Sequence, residues 1–178
     1  MAELISFTHT EAALREYGEA VAKAYKESLT RNNRKATGDL LDSVKVDIIN
    51  EANGNGITVA LDLASYWKFV EWDTRPHWPP SGSLLKWIQA KPIIPSPDSR
   101  GRIPTPAQLD FLIRRKIAGF APDGHGGFKP GGTKGTHDLG DSVDAINASW
   151  LPRIEEAVAR DINEAVEAQI WVLFGRGA

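Results

Sequence analysis

The chain has no cysteine in its 178 residues. Disulfide cross-links, thiolate zinc sites and cysteine nucleophiles are thereby excluded. Long apolar runs are missing too. No stretch approaches the roughly 20 apolar residues that cross a bilayer, so no membrane partner is expected. The opening "MAELISFTHTEAALREY" has no basic start leading into an apolar core. It does not read as a signal peptide, and a cytoplasmic product is the expectation. Neither sign of charge is in clear excess. Lys and Arg number 21 against 23 Asp and Glu, a formal net of -2. Dedicated DNA or RNA binders carry a basic surplus, so that class is disfavoured.

Catalytic signatures are equally sparse. The four histidines, His9, His77, His125 and His137, form no HExxH or comparable ligand spacing. No G-x-S-x-G elbow is present. "PSGSL" at 80–84 reads as a turn in which Ser83 caps a helix. "GGTKGT" lacks the phosphate-loop spacing. No catalytic residue, cofactor or metal is expected. One alternative is a small metal-dependent hydrolase built on His77, His125 and His137 with the nearby Asp123, Asp138 and Asp141. Another is a monomeric adaptor that binds a peptide strand along a hairpin edge.

What is present is ordinary globular material, 42% hydrophobic and 25% charged. The length fits a single domain, 1–178. Residues 9–33 read as a helix, with Leu14, Tyr17, Val21, Tyr25 and Leu29 on one stripe and Thr8 or Thr10 as its cap. From Ser43 the period changes to two, through Val44, Val46 and Ile48. After "NGNG" at 53–56 it resumes through Ile57, Val59, Leu61 and Leu63. Asn-Gly tolerates the positive φ of tight turns, so 43–63 reads as an antiparallel hairpin. "SLLKWIQAK" and "PAQLDFLIRRKIAGF" read as helices, the second with Arg114 and Arg115 turned away from its apolar stripe. A last helix from about Asp141 to Phe174 carries Pro152, where a kink or break is expected.

These elements add up to an α+β fold: an antiparallel sheet centred on the hairpin, packed against the N-terminal helix and the long C-terminal helix. Residues 80–135 read as an insertion with two extended arms. One arm, 92–106, holds five prolines. The other, 121–137, is glycine-rich, with six glycines between 124 and 135. Ordering glycine costs much backbone entropy, so a mobile arm is expected there.

The stretch "YWKFVEWDTRPHWPP", 66–80, holds three of the six tryptophans. Read as helix or as strand, it sends aromatic rings in more than one direction. One core face cannot take them all. Exposed aromatic surface beside an arginine marks a contact with a partner.

The order of motifs resembles the HK97 gp10-like phage morphogenesis family of tail-completion and head–tail joining proteins. Thr37, Gly38, Leu40 and Ser43 are similar to that family's segment before the hairpin. Tyr66, Val70, Glu71, Thr74, Arg75 and Pro76 are similar to the segment after it. "LLKWIQAK", "FLIRRKIAGF" and "GTKGTHDL" follow in the family's order, so the resemblance spans most of 36–175. Asp73 stands where the family usually has glycine, and Trp67 where a small residue is common. The resemblance implies a non-enzymatic virion protein, assembled in the bacterial host. It would be a ring-forming homo-oligomer between the connector and the tail tube, with passive DNA contact in its lumen. The residues expected at its interfaces are Trp67, Glu71, Trp72, Arg75, Trp78, Phe128 and Lys134.

Overall fold

A computed structural model describes residues 6–33, 38–50, 56–91, 93–97 and 100–175. The elements in order are α1 (Thr8–Arg31), α2 (Asp39–Ser43), β1 (Lys45–Asn50), β2 (Ile57–Asp62), α3 (Trp67–Glu71), α4 (Leu85–Ala90), α5 (Pro106–Ile117) and α6 (Asp138–Phe174). The fold is mixed α+β, and among the described residues the sheet is the two-stranded hairpin itself. The chain divides into two compact units. The first comprises Met1–Ser28, Ser43–Leu63 and Leu139–Ala178; the second comprises Leu29–Asp42 and Ala64–Asp138.

In the first unit, β1 and β2 pair antiparallel with Lys45 opposite Asp62 and Asn50 opposite Ile57. Val46 and Ile48 are half-buried while Lys45 and Asp47 are exposed, as a period-two strand with one covered face requires. The "NGNG" turn falls largely outside the described residues. Helix α1 lies against the covered face at Gly18. A Cβ there would stand 2.6 Å from Val46 Cγ1 and 2.8 Å from Val59 Cγ1. The missing side chain is what lets helix and hairpin approach. Val21 and Tyr25 of the same helix, and Val44 before β1, are buried.

Helices α1 and α6 run antiparallel. Tyr17 meets Trp150 edge to face, with centroids 6.4 Å apart, and its hydroxyl donates to Asn147 at 2.8 Å. At the other end, Asp161 of α6 receives the His9 and Thr10 amides at 3.0 and 2.8 Å and the Thr10 hydroxyl at 2.6 Å. The first turn of α1 is therefore capped from α6, and Thr10 donates where a local cap would accept. This corrects the expectation of Thr8 or Thr10 as the cap. Since Asp161 is level with the start of α1, residues 162–174 of α6 run on past it by roughly 20 Å at the helical rise. Pro152 does not break α6. Pro152 and Ala148 both face solvent. Water can therefore serve the carbonyl that loses its donor.

In the second unit, α5 starts with a complete capping box. Thr105 accepts from the Gln108 amide, the Gln108 side chain accepts from the Thr105 amide, and Pro106 occupies the first turn. The described residues of 92–106 before it form no helix or strand. Ser83 caps nothing. The N-cap of α4 is Leu84, without a side-chain bond, and the carboxylate of Asp110 on α5 takes that role.

Candidate interaction surface

The surface is assembled from three stretches of the second unit: 66–80, α5, and 117–137. Tyr66 joins the first to α2. Burial raises its hydroxyl pKa most and the Asp39 charge adds to this, while a hydrogen bond from the Leu40 backbone opposes both. Residues 39–40 and the "YWKFVEWDTRP" segment thus meet at this tyrosine, while Thr37 lies outside the described residues.

Helix α3 ends at Glu71, and Trp72 takes an extended backbone with φ -113 and ψ 156. That turn swings the Trp72 indole back against Trp67, with centroids 5.1 Å apart. A uniform helix would have held the two rings on different faces. Trp67 is half-buried, whereas Trp72 and Phe69 are exposed and line a shallow trough of about 380 Å³ with Arg75 and His77.

Beyond the trough, Trp78, Phe111, Phe120 and Phe128 form a row. Trp78 lies 6.1 Å from Phe111 and 6.0 Å from Phe120, and Phe120 lies 6.1 Å from Phe128, all tilted or edge to face. Each of the four side chains is about half exposed, from 46% at Trp78 to 63% at Phe128. An open apolar trough of about 660 Å³ continues past Phe111 along Leu112, Ile103 and Pro104.

A buried polar clasp holds the row in place. Arg114 is only 8% exposed and does not turn outward as its charge suggests. Its Nε donates to the Pro79 carbonyl at 2.8 Å, an Nη lies 3.4 Å from Asp110, and the guanidinium stands 5.5 Å from the Trp78 ring. Asp110 in turn accepts from the Gly82 and Leu84 amides at 3.1 and 3.2 Å. Burial alone would push its carboxyl up, but the two amides and Arg114 outweigh that and hold it below the ordinary value. The clasp fixes 78–84 to α5, and with it the orientation of Trp78.

The glycine-rich segment is tied down along its length. Thr74 and Thr133 form an antiparallel bridge, with their hydroxyls 2.8 Å apart, and Pro122 bridges Phe128. The Gly132 amide donates to Ile117, the Thr136 amide to Val70 and the His137 amide to Glu71. Asp73 accepts from the Gly135 amide at 2.7 Å. At Gly131, Gly132 and Gly135 the backbone approach is too close for any other residue, while Gly124 and Gly126 face open space. A Cβ on Gly132 would sit 2.1 Å from the Thr74 carbonyl oxygen, and one on Gly135 would sit 2.3 Å from that of Glu71. Here glycine supplies room, not slack.

Of the seven residues expected at an interface, Trp72, Arg75, Trp78, Phe128 and Lys134 are exposed. Trp67 backs Trp72. Glu71, at 3% exposure, is an interior residue. Phe111 and Phe120 belong to the row and were not singled out in the sequence. They look like one more pair of apolar helix residues, and only the place where α5 ends sets Phe120 beside Trp78.

The histidines of the hydrolase alternative are exposed and separate. His77 Nδ1 lies 2.9 Å from the Arg75 carbonyl, His125 stands in the loop clasped by Asp123, and His137 has φ 56. Among the described residues, the one group of His and carboxylates at metal-ligand spacing is His9, Asp161 and Glu164 in the first unit. Its Asp161 is already engaged by three donors from α1. Comparison of the chain with protein-family models, with curated proteins and with solved structures finds no match in any of the three.

Proposed function

We propose that the protein is a structural component of a phage virion, a subunit of a homo-oligomeric ring at the head–tail connection, and not an enzyme. The observation that carries this reading is the half-exposed aromatic row Trp78, Phe111, Phe120 and Phe128, whose Trp78 segment is bonded to α5 through Asp110 and Arg114. A row of rings fixed in advance is suited to binding a protein surface, because little entropy remains to be lost. Covering the exposed halves would remove about 400 Å² of apolar surface, a gross gain of about 10 kcal/mol. That is comparable with the roughly 4–15 kcal/mol that association costs, so neighbouring contacts are needed as well. A ring supplies them, since each subunit touches two others.

The choice of a virion rests on the motif order. Residues 39–40 of the first segment similar to the phage morphogenesis family meet the second at Tyr66, and the glycine-rich segment that follows them lies against 70–75. The proposed partners are further copies of the chain, the connector and the tail tube, with DNA passing through the lumen.

The test is made on particles. Mass spectrometry and antibody labelling of purified virions are expected to find the protein at the head–tail junction. Disruption of its gene is expected to leave filled heads and separate tails. Intact, infectious particles without the protein would overturn the reading.

A further inference from the structure

The formal net charge of -2 conceals a separation. The second unit carries 14 Lys and Arg against eight Asp and Glu; the first carries seven against 15. Burial sharpens the contrast around the aromatic row. Of the second unit's acids, Glu71, Asp110 and Asp138 are at most 3% exposed and Asp123 is bound to the His125 and Gly127 amides, whereas Asp39, Asp42 and Asp73 face solvent. The cations Arg102, Lys116, Lys129 and Lys134 face solvent. Lys129 follows Phe128, where it also faces the Asp123 carboxylate, and Arg102 lines the trough beside Phe111, so the apolar row is flanked by cations.

The first unit holds the counterpart. Past the end of α1, Ile162, Val166, Ile170, Leu173 and Phe174 are all exposed, from 43% to 78%. On a helical projection they fall within an arc of roughly 120°. Between 155 and 174 the helix exposes four carboxylates, at Glu155, Glu156, Glu164 and Glu167, against the single cation Arg160, while Asp161 is buried. This face is apolar at its centre and anionic at its rim.

We infer that the overhanging end of α6, Ile162–Phe174, of one copy docks on the Trp78–Phe111–Phe120–Phe128 row of the next. The identity of the partner as a second copy rests on the ring reading; the choice of faces rests on charge and apolar match. Pairing two different faces is a head-to-tail contact, which closes into a ring or continues as a filament. Row against row, or helix against helix, would set like charges together.

The absence of cysteine makes the test clean. Leu112→Cys marks the row and Gln169→Cys marks the helix face. When the two full-length variants are mixed under mild oxidation, the mixed disulfide is expected to form about tenfold faster than either self-pair, through the raised local concentration at a docked face. Adding Phe120→Glu or, as a milder second change, Lys129→Glu to the Leu112→Cys variant is expected to remove that preference. Restoring it in the Lys129→Glu case requires Glu167→Lys on the partner variant. Equal rates for the three disulfides, or a preference that survives both row changes, would overturn the inference. If the crosslink fails while the protein is found at the head–tail junction, the docking faces are wrong and the function stands. If the crosslink succeeds and virions lack the protein, the reverse holds.

Discussion

At the scale of single residues, Asp161 shows how much one carboxylate can organise. It is 1% exposed and accepts three hydrogen bonds from the first turn of α1. Asp161→Ala leaves two helix amides and a buried hydroxyl without their acceptor, and is expected to cost about 2 kcal/mol in urea denaturation. Asp161→Asn keeps one acceptor oxygen and should lose less. The pH dependence has a definite sign. Burial pushes the Asp161 carboxyl up, but the bonds from Thr10 and His9, with the His9 charge, outweigh it, so the folded value lies below the ordinary one. The groups facing it are His9 and Glu164, themselves 2.9 Å apart. A depressed folded pKa gives stability that is present above the unfolded value, about 4, and lost as pH falls through the folded one. The gap between wild type and Asp161→Asn is therefore expected to be full at neutral pH and to shrink on acidification below about pH 4. A gap that widens on acidification would contradict this assignment.

At the scale of elements, the glycine-rich segment separates two meanings of one composition. Gly132 and Gly124 have nearly the same φ, 89 and 88, but Gly132 faces the Thr74 carbonyl whereas Gly124 faces open space. Gly124→Ala is expected to cost about 1 kcal/mol, the backbone penalty alone. Gly132→Ala adds a clash with backbone and is expected to cost about 3 kcal/mol or more. Hydrogen exchange should show the Thr133 and Thr136 amides losing protection in the second variant and not in the first. The same contrast explains what was legible in the sequence. The hairpin, α1 and α6 follow from side-chain periodicity, which is local and survives any tertiary arrangement. The pinned loop does not, because glycine content reports freedom lost on ordering and says nothing of a neighbour that demands a missing Cβ. The inward turn of Arg114 was hidden for a similar reason: its acceptors, Pro79 and Asp110, meet only when α5 is docked. The Trp67–Trp72 contact depends on α3 stopping one residue short of Trp72, a boundary finer than periodicity resolves. The cap on α1 comes from 151 residues away, out of reach of any local pattern.

At the scale of the whole molecule, the near-balance of charge is the least informative number in the composition. Opposite excesses sit on the two units, and each excess surrounds exposed apolar side chains. Where two copies meet, unlike faces attract and like faces repel. Ionic strength separates these cases. The Debye length falls from about 10 Å at 0.1 M salt to about 3 Å at 1 M. If a cationic row meets an anionic helix end, self-association measured by sedimentation is expected to weaken as salt is raised, and to keep the part contributed by apolar burial. If rows meet rows, salt screens a repulsion and association strengthens. Neutralising the rim by Lys129→Gln and Lys134→Gln together should flatten the salt dependence in the first case without abolishing association, because Phe120 and Trp78 still become covered. The sign of the salt slope therefore reports which surfaces meet, and its flattening in that variant reports that Lys129 and Lys134 are among the charges responsible.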